Sequence, residues 1–230
     1  GSYGGGVYIG TTSAVTLTND SDVHDNTASI YGGGARVWGT LVGTETDSDI
    51  SYNCAPHGGG ASVVGGVLTL DASDMQSNEA ADPNGMGGGI YANDGAQVTM
   101  LGNAWVYQST AYDGAGIYAD GATVDLSGSV TAGNDAANYG GGVYLTNGST
   151  LVGDSITSIG YASSASYVNT AQSGAGIYAL DSIIDFEGRI VNNEAVEAGG
   201  GIYAEGSTLN LTDAQVGGTE TYQMNQVTGG

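Results

Sequence analysis

The chain has 230 residues, of which 43 are glycine, two proline, one cysteine, 24 acidic and only two basic, giving a formal charge of −22. That charge excludes nucleic acid and anionic lipid as partners, because both are bound through basic patches, and the lone Cys54 excludes an internal disulfide framework. The 40% apolar content suffices for a core, yet no run of 18 apolar residues is present to cross a membrane as a helix, and no basic-then-apolar leader is visible.

A glycine triplet at Gly4–Gly6 opens the pattern, and the same element returns along the whole chain. Its third glycine falls at Gly6, Gly34, Gly60, Gly89, Gly116, Gly142, Gly176 and Gly201, at intervals of 28, 26, 29, 27, 26, 34 and 25 residues. A period in this range marks a solenoid.

The first interval has Val7-Tyr8 after the glycines, alternating Val15 and Leu17, then Asp20 and Asp22 before Val23, and Asn26-Thr27-Ala28 at its close. The second has Ala35-Arg36, Asp47 and Asp49 before Ile50, and Asn53-Cys54-Ala55. The third has Ala61-Ser62, the pair Leu68/Leu70, Asp74 before Met75, and Asn78-Glu79-Ala80. In the fourth, Ile90-Tyr91 and Val98/Met100 lead to Ser109-Thr110-Ala111, where serine replaces the asparagine. The fifth reads Ile117-Tyr118, a turn at Asp120-Gly121, Val124/Leu126, Val130 and Asn134-Asp135-Ala136. The sixth has Val143-Tyr144 and an insertion, Thr157–Tyr167, before Asn169. The seventh has Ile177-Tyr178, Ile184/Phe186 and Asn193. The eighth has Ile202-Tyr203, Leu209/Leu211, a second insertion over 217–224 and Asn225.

Each unit therefore holds three short strands and three turns, too little to bury an apolar face alone. Stacked, each strand pairs with its equivalents about 4.8 Å above and below. The expected fold is all-β: one right-handed parallel β-helix domain over 1–230, of about eight coils with three strands each, the hand following the general crossover preference. The residue after each triplet is always aliphatic and points inward. The next one, Tyr8, Arg36, Ser62, Tyr91, Tyr118, Tyr144, Tyr178 or Tyr203, points outward. The triplets themselves fit a corner where φ is positive or coils approach closely.

Three columns follow from stacking. Asn26, Asn53, Asn78, Asn134, Asn169, Asn193 and Asn225 form a structural ladder whose amides bond from coil to coil. Tyr91, Tyr118, Tyr144, Tyr178 and Tyr203 form an aromatic ladder, either a platform for sugars or a partner, or a stack that packs on itself. Asp22, Asp49 and Asp74, with Asp20 and Asp47 beside them, either hold a bridging Ca²⁺ or stay solvated. Tyr161, Tyr167 and Tyr222 lie in the insertions, which project from one side and serve either binding or nothing. Arg36, Arg189, His24 and His57 are isolated in sequence and no carboxylate pair stands out, so no enzyme is expected, a glycan-binding or glycan-cleaving β-helix being the second alternative.

The elements Gly-Gly-[Gly/Ala]-[Ile/Val], as in 4–8, 87–91 and 199–203, alternate with x-x-Asn elements such as Val23–Asn26, Ile50–Asn53, Met75–Asn78 and Ile190–Asn193. This pattern resembles the repeats of chlamydial polymorphic outer-membrane proteins and, more broadly, the right-handed β-helix passengers and adhesins of bacterial surfaces. The resemblance implies a secreted or surface-displayed bacterial protein acting in adhesion. The chain starts and stops in phase with its own repeat, which suggests either a segment of a longer solenoid or a subunit stacking end to end into a filament. Partners are then a cell surface, a glycan or further copies of itself.

Overall fold

The computed structural model describes residues 2–46, 48–218 and 223–229. Parallel strands stack into a β-solenoid of eight coils. The first sheet collects the segments after the triplets, from Val7–Ile9 through Ile117–Asp120 to Ile202–Glu205. The second runs from Ala14–Leu17 to Thr208–Leu211, and the third from Val23–His24 to Gln215–Val216. Neighbours in every sheet are equivalents from successive coils, in the register the sequence columns demand: Ile90 opposite Ile117, Val98 opposite Val124, Met75 opposite Ile50.

A fourth sheet corrects the count of three strands per coil. It begins at Cys54–Ala55 and ends at Gln226–Val227, and it is built from the Asn-X-Ala segments that read as closing turns. Asp135–Tyr139 and Asn169–Ser173 are examples. These segments are rich in Asn, Asp, Glu and Ala, residues with low strand propensity. Pairing with equivalents on both sides overrides that preference, since strand formation depends more on context than on composition.

The interior is a continuous apolar column, with Leu68, Ile90, Ile117, Leu126, Leu145, Ile184 and Phe186 fully buried. The end members Val7 and Ile202 are only partly buried, each having a neighbouring coil on one side alone. Side-chain volumes complement one another between coils. Phe186 lies opposite Gly153, and a Cβ on that glycine would come within 2.3 Å of the ring. Beneath the fourth sheet sits a smaller core of alanines, including Ala111, Ala136, Ala171 and Ala195.

One triplet explains why the two sequence elements recur together. Gly32 has φ 66°, a left-handed conformation that costs any Cβ-bearing residue energy. Gly33 passes so close to the next coil that a Cβ would lie 2.5 Å from the Gly59 carbonyl oxygen. Gly34 leaves room for the ladder: a Cβ there would lie 2.8 Å from Asn53 Nδ2. The corner thus has both the positive φ and the close approach that the glycines imply.

Candidate interaction face

The asparagine ladder is the internal frame of one corner. Asn26 Nδ2 donates to Asn53 Oδ1 at 3.0 Å, and Asn53 to Asn78 at 3.1 Å. After the break at Ser109, Asn134 donates to Asn169 at 3.2 Å, Asn169 to Asn193 at 2.8 Å and Asn193 to Asn225 at 2.9 Å. Each Nδ2 has a second acceptor in a backbone carbonyl, such as Val23 for Asn53 and Thr131 for Asn169. The residue before the asparagine is held at positive φ in several coils, including Tyr52 at 55° and Ser77 at 53°. Between its two end members the ladder's atoms are committed to the fold and leave none for chemistry.

The outward tyrosines stack on one another. Tyr91–Tyr118, Tyr118–Tyr144, Tyr144–Tyr178 and Tyr178–Tyr203 have ring centroids 5.5, 4.7, 5.1 and 4.7 Å apart, with planes within 18° of parallel. Such offset stacking is favourable beyond area burial. Although they point away from the core, Tyr91, Tyr144 and Tyr178 are buried by their neighbours. Of the two readings the sequence leaves open, the geometry is that of the self-packing stack. Burial, reinforced by neighbouring tyrosines and carboxylates, pushes the phenols of Tyr91, Tyr144 and Tyr178 up to about 12.

The seam is longer than the tyrosine column. Where that column carries Arg36 and Ser62, the adjacent column, one residue before each triplet, supplies Tyr31 and His57. Tyr31 lies 5.1 Å from His57, and His57 5.6 Å from Tyr91; Tyr3 continues the series at 6.1 Å from Tyr31. Rings therefore connect all eight coils, from Tyr3 to Tyr203. Burial lowers the His57 pKa from its ordinary value, with the Arg36 charge acting in the same direction and Asp82 opposing. Tyr3, Tyr8 and Trp38 remain exposed at the first two coils, around Arg36.

The aspartate column has the expected register: Asp49 lies opposite Asp74, and Asp22 one residue before the Val23–Ile50 pair. Two of its carboxylates, those of Asp22 and Asp74, accept from backbone. Asp22 Oδ1 accepts from the Asp49 N–H at 3.2 Å, and Asp74 Oδ1 from the Trp105 N–H at 2.8 Å. Burial raises the Asp74 pKa to about 6, with the Trp105 hydrogen bond pulling it down and the Asp49 charge adding to the rise. Ca²⁺ takes six to eight converging oxygens; among the described residues no cluster of three or more acidic, His or Cys side chains is arranged to hold a metal. Asp20 is exposed at φ 62°, and Asp47 lies outside the described residues. Exposed His24 pairs with Asp25 at 2.8 Å, a contact that raises its pKa. Cys54 is a half-buried free thiol in the fourth sheet, its pKa raised first by burial.

The insertion of the sixth coil does not project. Tyr161 and Tyr167 fold back onto Trp105, at 5.0 and 5.7 Å, and Tyr167 also meets Tyr107 at 6.2 Å. Asn192 Nδ2 fastens the loop by donating to the Tyr161 and Ser164 carbonyls, both at 3.0 Å. The loop covers an apolar stripe on the outside of the third sheet: Trp105 lies opposite Val130, and Tyr107 opposite Ala132. Outward Val130 and Ala132 are accordingly 7% and 0% exposed. Tyr222, in the other insertion, lies outside the described residues.

Comparison with known proteins finds no matching family model, no matching curated protein and no matching solved structure.

Proposed function

We propose that the chain is the non-catalytic rod of an extracellular or cell-surface protein of a bacterium or archaeon, acting structurally and in adhesion. The observation that carries this reading is the aromatic seam, which ties all eight coils along one side and, from Tyr91 to Tyr203, stacks its rings on one another. Together with the asparagine ladder it makes a stiff, self-satisfied column rather than a cleft. The carboxylates of Asp22 and Asp74 accept from backbone N–H groups, which suits support and not turnover. The charge of −22 keeps such a rod soluble in a saline exterior, and the motif resemblance to bacterial surface repeats points the same way. Beads coated with the purified chain test adhesion. Retention on cell or glycan surfaces above that of beads carrying an unrelated acidic protein supports the reading, and equal retention removes the adhesive part.

A second reading, head-to-tail assembly of this chain, is favoured by the sense of the ladder. Every rung donates toward the following coil, so the Asn225 backbone N–H and the Asn26 Oδ1 are complementary partners for two copies. Electron microscopy across salt concentrations tests it: rods of increasing length support assembly, and uniform short particles at every salt concentration exclude it.

A further inference from the structure

The aromatic seam opens at its first two coils into a pocket of about 220 Å³ lined by Tyr3, Tyr8, Tyr31, Arg36 and Trp38. Arg36 forms its floor and is 6% exposed. Its guanidinium carbon lies 4.2 Å from the centre of the Tyr31 ring and 5.3 Å from that of Trp38. One terminal nitrogen donates to Ser62 Oγ at 2.5 Å, a contact the small Ser62 permits. The buried Nε–H has no acceptor, and among the described residues no carboxylate forms an ion pair with this group. In a chain with 24 acidic residues and two arginines, a buried cation held by ring faces and one hydroxyl, with no carboxylate paired to it among the described residues, is anomalous. An unpaired charge is expensive to bury, and ring faces compensate only in part.

We propose that this pocket binds a single carboxylate-bearing sugar unit, of the uronic acid type, at its non-catalytic surface. The planar guanidinium matches a carboxylate in geometry and charge and supplies the counter-ion Arg36 lacks. The exposed rings of Tyr3, Tyr8 and Trp38, at 49%, 60% and 38% exposure, offer flat apolar faces to the C–H groups of a pyranose. The small volume suits one ring. The inference goes beyond the scaffold reading and does not depend on it: a rod with no adhesive role would bind the same sugar. The net charge gives the interaction an unusual signature. Long-range repulsion from −22 is screened by salt while the buried contact is not, so affinity rises with ionic strength.

The test uses the Trp105→Phe variant, in which Trp38 is the remaining tryptophan, titrated with glucuronic acid, glucose, acetate and a short acidic peptide, with calorimetry on the unaltered chain. Expected are saturable quenching by glucuronic acid and at least about tenfold weaker binding of the other three. Affinity should be higher at about 0.15 M than at about 0.01 M salt. Arg36→Gln and Tyr8→Ser should each weaken glucuronic acid binding by about tenfold or more. Tyr8 is exposed, so its variant keeps the wild-type melting midpoint and the test stands even if Arg36→Gln misfolds. Equal binding of glucose, acetate or the peptide, or glucuronic acid binding unchanged in Tyr8→Ser, overturns the proposal.

Discussion

Asn134 donates twice to one atom: its backbone N–H reaches Asn169 Oδ1 at 3.0 Å and its Nδ2 reaches the same oxygen at 3.2 Å. The Nδ2 also satisfies the Val106 carbonyl at 3.1 Å, and Asn134 Oδ1 in turn accepts from the Ser109 N–H at 3.0 Å. Asn134 is fully buried, so none of these groups has water as an alternative.

Asn134→Ala should therefore cost about 2–4 kcal/mol, because truncation takes away the partners of the buried Ser109 N–H and the Val106 carbonyl together with one rung. Asn26→Ala, at the partly exposed first rung, should cost about 1 kcal/mol or less. Urea denaturation of the two variants measures the difference. Equal losses would mean that burial of the ladder is not what makes it stabilising.

Ser109→Asn should do the reverse. Ser109 is buried, its hydroxyl reaches only the Tyr107 carbonyl at 3.5 Å, and no side-chain rung joins Asn78 to it. An asparagine continues the ladder across the gap and should gain about 1 kcal/mol. A melting midpoint at or below that of the parent would show that the corner beside Gly89 is too tight for the amide.

Gly153→Ala should destabilise by about 1–3 kcal/mol through overpacking against Phe186. Phe186→Leu, destabilising alone, should recover part of that loss in the double variant, since the two positions face each other across neighbouring coils. Additive losses in the double-mutant cycle would contradict the contact.

Asp74 sets a pH dependence. Its pKa is about 6 in the fold against an ordinary 3.8, so the folded state holds the proton more tightly than the unfolded chain. The associated stabilisation is complete below 3.8 and is lost as pH rises through about 6. Solvent access reduces the effect to about 1–2 kcal/mol. Asp74→Asn keeps an acceptor for Trp105 and should be more stable than the parent at pH 7 by that amount, with the gap closing below pH 4. A gap of constant size from pH 4 to pH 8 would rule the carboxyl out.

The stacked phenols should resist alkali. With Tyr91, Tyr144 and Tyr178 pushed up to about 12, ultraviolet titration should show these rings still protonated at pH 11. Because the unfolded chain loses those protons first, stability should fall as pH rises from about 10 to about 12. Full ionisation of all tyrosines near pH 10, with the fold intact, would contradict the stacked geometry.

The coil number and the register of the asparagine and aspartate columns are legible in the sequence because identical side chains recur one circuit apart. The fourth strand is not, since Asn134-Asp135-Ala136 has the composition of a turn and becomes a strand only through its neighbours. The continuity of the seam is hidden by a change of column. Tyr31 and His57 sit just before their triplets, in the two coils where Arg36 and Ser62 follow them. That compensation was the available signal. The docked insertion had one too: Trp105, Tyr107 and Val130 present an apolar outer face that needs a cover.

The one-way sense of the asparagine ladder has a consequence for how such a chain can change length. Each circuit that carries the asparagine hands its donors forward and receives from behind through the same joint, so the ladder matches again when one of those circuits is excised or duplicated. Along that joint the molecule behaves as a ruler graduated in circuits, while Phe186 against Gly153 and the insertion on Trp105 fix the order of their own coils.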